Sequence, residues 1–131
     1  MTGQEKITKL TLDEMIRRAE QVKEAKSKNN TKELYIESLD GTIVLSKPTR
    51  SQVADALDMG SSESDAYLIY ECVKEPSLKS QKLQEAYGCV EPLDIVDKIF
   101  EPGELTNIAK KALDFAGYSD NSVKDVENLK N

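Results

Sequence analysis

Residues 65–73 read DAYLIYECV, and this stretch limits the fold more than any other. Ala66, Tyr67, Leu68, Ile69, Tyr70, Cys72 and Val73 leave almost no polar face. A helix that is apolar on every side is stable only when other elements surround it. The segment therefore predicts a mainly α fold of α+β type, a helical bundle with 65–73 at its centre. The Tyr67 and Tyr70 hydroxyls need hydrogen-bond partners there. A chain of 131 residues with 38% apolar residues is long enough to build that surround as one domain.

The flanking sequence supplies the surround. Thr11-Leu12-Asp13-Glu14 has the form of a capping box, and Leu12, Met15, Ile16, Ala19 and Val22 follow at helical spacing. They predict an N-terminal helix over 12–27 with one apolar stripe, ended by the turn residues Asn29 and Asn30. ELYIESLDGTIVLSKP then reads as a two-stranded β-hairpin around Asp40-Gly41. A two-residue turn pairs Leu39 with Thr42 and Ile36 with Leu45. Leu34, Ile36, Ile43 and Leu45 then share one apolar face, which must lie on helices or on a partner. Thr49 and Gln52 form a second capping box before Val53, Ala54, Ala56 and Leu57, and Gly60-Ser61-Ser62 is a turn.

Three of the four prolines follow glutamate, at Pro76, Pro92 and Pro102. The residue before a proline is pushed out of the helical region, while proline itself suits the first helical position. Each pair thus punctuates: Pro76 opens 77–87, Pro92 opens 93–100 and Pro102 opens 104–116. Gly117 and Tyr118 suit a Schellman ending on Leu113. Five or six helices are expected in all. Residues 1–118 form a single globular domain on this reading, and 119–131 form a flexible tail or weak helix through Val123, Val126 and Leu129.

Chemical groups are scarce. With no histidine, Ser-His-Asp and Cys-His nucleophiles are out of reach. Cys72 and Cys89 fall short of a structural zinc set and are expected as reduced thiols. The six glycines are scattered singly, so there is no phosphate loop. Carboxylates are spread along helical faces, where solvation suffices to explain them. No enzyme activity, metal or cofactor is expected. A net charge of −6 argues against nucleic acid or an anionic membrane as partner. No stretch is long enough for a membrane span, and MTGQEKITKL has no apolar leader.

Residues 50–72 also fit a helix-turn-helix outline, which makes a DNA-binding regulator the alternative reading. Its second helix would open with Glu63, Ser64 and Asp65, and no Lys or Arg lies between Arg50 and Lys74. Phosphate would repel such a helix.

The stretch DAYLIYECVKEPSLKSQKLQEAYGCVEPLDIVDKIFEPGELTNIAKKALDFAGY resembles the XkdN-like phage tail assembly chaperones, a family of phages and defective prophages. An apolar helix, Val73 to Pro76, Tyr87-Gly88, Pro92 with DIVDKIF, Pro102-Gly103-Glu104 and Ala116-Gly117-Tyr118 occur in the family's order. The hairpin region YIESLDGTIVLSKPTRSQV adds to the likeness, which spans roughly residues 33–118. The resemblance implies a protein of the host bacterium's cytoplasm that binds the tape measure protein, and tail tube subunits with it, during virion morphogenesis. Self-association is compatible with that role.

A chaperone of this kind needs an apolar patch that can be covered and released. Leu93, Ile95, Val96, Ile99 and Phe100 cover a wide arc of the 93–100 helix. With Leu93, Val96 and Phe100 serving the core, Ile95 and Ile99 lie on the flank. The partner-binding candidates are Ile95, Ile99 and Phe100, together with Tyr67 and Tyr70 on the neighbouring helix.

Overall fold

The computed structural model describes residues 7–119 and 122–129. They fall into two compact units: residues up to Asn30 with those from Ser119 onward, and Thr31–Tyr118. Residues 1–6, where the sequence is expected to carry no apolar leader, lie outside the described residues, as do four residues of the expected tail.

In the first unit the N-terminal helix forms as two pieces, α1 (Leu12–Arg17) and α2 (Ala19–Lys28). Arg18 between them keeps near-helical angles, φ −86° and ψ −1°, and backbone bonds from Arg18 to Glu14 and from Val22 to Arg18 carry the ladder across. The Thr11 hydroxyl accepts from the Glu14 N–H at 3.2 Å. The Glu14 carboxylate meanwhile pairs with Arg17 and with Arg18 Nε.

The second unit opens with β1 (Thr31–Ile36) and β2 (Gly41–Ser46), followed by α3 (Arg50–Leu57) and α4 (Ser61–Cys72). The sheet is corrected from two strands to three, because β3 (Val73–Glu75) continues from α4 and pairs antiparallel with β2. Glu75 precedes Pro76, so it is held extended, and the β-branched Val73 joins it rather than prolonging the helix. A register irregularity between Val44 and Leu45 accommodates the junction.

The turn differs as well. Glu37–Leu39 forms a 3₁₀ turn and Asp40 takes the left-handed conformation, φ 47° and ψ 52°. Ile36 faces Gly41 instead of Leu45, four residues earlier on β2. Side chains alternate with period two, so an even shift leaves Leu34, Ile36, Ile43 and Leu45 on one face as expected. Leu39 leaves the ladder and is exposed. The Tyr35 hydroxyl donates to Asp40 Oδ1 at 2.8 Å, and this bond is the main reason its pKa is raised.

The remaining helices are α5 (Gln81–Ala86), α6 (Asp94–Ile99) and α7 (Pro102–Phe115) in this unit, with α8 (Val126–Leu129) in the first. Pro102 opens α7 as expected, with a capping box between Glu101 and Glu104. Pro76 does not open a helix: α5 starts later, capped by the Ser80 hydroxyl. After Pro92, α6 starts at Asp94, whose carboxylate accepts from the Val90 and Glu91 N–H groups at 3.2 and 2.9 Å. The α7 ending is the Schellman pair, Tyr118 N–H to Leu113 C=O at 2.9 Å, with Gly117 at φ 92°.

The core joins the apolar sheet face to Leu68, Ile69 and Cys72 of α4, to Ile95 and Val96 of α6, and to Ile108, Ala109 and Ala112 of α7. Residues 65–73 are thus central, as the sequence predicts.

Candidate functional site

The five candidate side chains divide. Ile95 and Phe100 are 0% and 4% exposed and belong to the core. Placing Ile95 on an exposed flank is therefore corrected. The inner face of α6 is set by Ile95 and Val96, with Phe100 one turn beyond. Leu93 precedes the helix as its N-cap and is only partly buried. Ile99, Tyr67 and Tyr70 are half-buried at the edge of the same cluster.

The tyrosines carry a polar fringe. Tyr67 donates to Asp55 Oδ2 at 3.4 Å, and its pKa is raised first by partial burial and then by the Asp55 charge. Gln84 Nε2 donates to the Tyr70 hydroxyl at 3.5 Å. Lys79 lies 5.5 Å from the centre of the Tyr70 ring and donates to Glu71 at 2.9 Å, a bond that raises the lysine pKa. The lysine end is half exposed, so solvent screens the pair and it adds little stability. It does fix one side of the Tyr70 ring.

Two surfaces stand outside that set. The first is the apolar stripe of α1 and α2, neither of which contributes a buried residue. Leu12 is 77% and Ile16 64% exposed, with Met15 and Val22 also open to solvent. Spacing showed the stripe in the sequence, but spacing does not say whether a stripe is covered.

The second surface is a groove of about 450 Å³ between β1 and α7. Strand order makes β1 an edge of the sheet. The groove is lined by Glu33, Leu34, Tyr35, Ile36 and Glu37 of the strand side and by Glu104, Asn107, Ile108 and Lys111 of the helix. Glu104 is held firmly: its Oε1 accepts from the Glu101 N–H at 2.9 Å and from the Ser38 hydroxyl at 3.0 Å. These bonds, the Glu101 one first, keep its carboxyl below the usual range. Lys32 and Lys47 both approach the Phe115 ring, 5.6 and 5.1 Å from its centre. With Ser38 meeting the start of α7 and Lys32 its end, α7 runs antiparallel to β1.

Chemistry is sparse. Both cysteines are free, and burial pushes the Cys72 thiol up to about 11, leaving almost no thiolate at neutral pH. Among the described residues, no cluster of His, Cys, Asp or Glu is placed to hold a metal ion. No described helix is long and apolar enough to cross a membrane. In the helix-turn-helix look-alike, α4 carries Glu63 in its first turn.

Among solved structures, the crystal structure of the protein yqbn matches with a TM-score of 0.51 at 18% identity, covering 69% of this chain and 88% of that one. At that identity the likeness shows a shared fold. No curated protein matches the chain. The profile of the phage XkdN-like tail assembly chaperone proteins matches residues 5–130, so the likeness extends beyond 33–118 to nearly the whole chain.

Proposed function

Because the chain belongs to the phage XkdN-like tail assembly chaperone family, we propose that it holds the tape measure protein, with tail tube subunits as a second class of client, while a tail is assembled in the host cytoplasm. The observation that supports this reading is the uncovered stripe of α1 and α2. Leu12, Met15, Ala19 and Val22 are spaced three, four and three residues apart, the spacing of a seam between two helices. A client helix laid along that seam would bury Leu12 and Met15, each contributing roughly 1.5–3 kcal/mol. Half-buried Tyr67, Tyr70 and Ile99, in the second unit, are a separate candidate contact for a client. The role is one of binding and release and draws on no catalytic group.

The test is a double substitution, Leu12→Glu with Met15→Lys, in the full chain coexpressed with the tape measure protein. Neither side chain is buried, so the variant should melt within a degree or two of the parent, as is usual for exposed sites. Capture of the tape measure protein should be lost. Normal melting with undiminished capture would remove the stripe from the binding surface.

A further inference from the structure

The groove between β1 and α7 points to a second, separate site, and we infer that it takes an extended segment of a partner protein as a fourth strand. That segment pairs with β1 and carries a Lys or Arg near the start of α7. The backbone supports the inference first. Among the described residues, β1 bonds to β2 on one side only. In an antiparallel ladder every second residue of an edge strand turns its N–H and C=O outward, a template for an added strand. Most free edges are short, twisted away or covered. This one is six residues long and runs beside a groove with an apolar floor of Leu34, Ile36 and Ile108.

Charge then selects the occupant. Glu33, Glu37 and Glu104 stand on the lining against Lys111 alone. Two of the acids, Glu37 and Glu104, flank the turn at the start of α7, while Glu33 lies with Lys32 and Lys111 toward its end. Glu104 is already fixed by two hydrogen bonds and stays ionised. An incoming cation at that end meets the Glu104 carboxylate already in place, with Glu37 beside it. A second copy of β1 suits the edge poorly, because its own Glu33 and the nearby Glu37 would be brought toward the same acids. The occupant is thus an extended segment that alternates apolar and neutral residues and is basic at one end. The site is built from residues 33–37 and 104–111 of the second unit and the tape measure test substitutes residues of the first, so the two tests fail independently.

The probe is a synthetic peptide of alternating Val and Thr with two Lys at one end, titrated into the full-length ¹⁵N-labelled protein. Three controls accompany it: the same peptide with Glu for Lys, the same peptide N-methylated at alternate residues, and the variant Glu33→Lys with Glu37→Lys. The Lys peptide should shift the amides of residues 31–37 and 104–111 at up to millimolar concentration. The Glu peptide and the N-methylated peptide should not. The variant should bind the Lys peptide at least about tenfold more weakly, the scale expected when several attractive surface pairs become repulsive. Absence of shifts with the Lys peptide would overturn the inference. Equal binding of the N-methylated peptide would reduce it to charge attraction without strand pairing, which also overturns it. Concentration-dependent dimers that vanish in the Glu33→Lys, Glu37→Lys variant would assign the edge to a second copy instead.

Discussion

At the scale of single residues, Ile95 is the sharpest gauge of the core, because it has no solvent exposure and sits against α4 and α7 residues in one cluster. Ile95→Ala should lower the unfolding free energy by about 2–5 kcal/mol, lost transfer energy plus a cavity. A fall in the urea midpoint at unchanged slope would record it. A loss well under 1 kcal/mol would put Ile95 back at the surface. The helical wheel revealed the wide apolar arc of α6 but not which half faces inward, since that depends on where α4 and α7 lie. Glu104 offers a different kind of test. Its folded pKa lies below the ordinary value of 4.5, so its contribution is present above that pH and is lost as pH falls through the lower, folded value. Stability measured from pH 6 down to pH 3 should fall less steeply in Glu104→Gln than in the parent. An identical slope would mean that the Ser38 and Glu101 bonds are not kept in solution.

At the scale of elements, local chemistry was the legible part. Thr49 accepts from the Gln52 N–H at 3.1 Å and the Gln52 side chain accepts from the Thr49 N–H at 3.0 Å, the capping box its sequence announces. Thr49→Ala should cost about 0.5–2 kcal/mol, visible as a lower Tm, while Thr49→Ser should restore most of it. Equal loss in both would mean that the hydroxyl bond does not hold the helix start. The Schellman ending at Gly117 and the shared apolar face of the hairpin were readable for the same reason, a short-range pattern with one good solution. β3 was not. Three residues give no periodicity, and their pairing with β2 is decided by tertiary contact rather than by propensity. The groove beside β1 depends on strand order, which no local pattern encodes. The stripe of α1 and α2 was legible as a stripe, and only the folded chain shows it open to solvent.

At the scale of the whole molecule, charge separates the chaperone reading from the regulator. The chain carries a net −6, and the stretch from α3 through α4 has no cation after Arg50. No duplex DNA binding is expected at moderate salt. A gel shift at micromolar protein that weakens with salt and is lost in Arg50→Ala would favour the regulator instead. The join between α4 and β3 has a mechanical consequence. The helix ends at Cys72 and the strand begins at Val73 with no linker between them. The Ser46 hydroxyl donates to the Cys72 carbonyl at 3.2 Å and stitches the end of β2 to the same point. Tension applied along the sheet therefore has no slack to take up before it reaches α4, which gives Leu68, Ile69 and Cys72 to the core. A pull on β3 is thus passed straight to α4 and the core it joins, with no hinge residue between them.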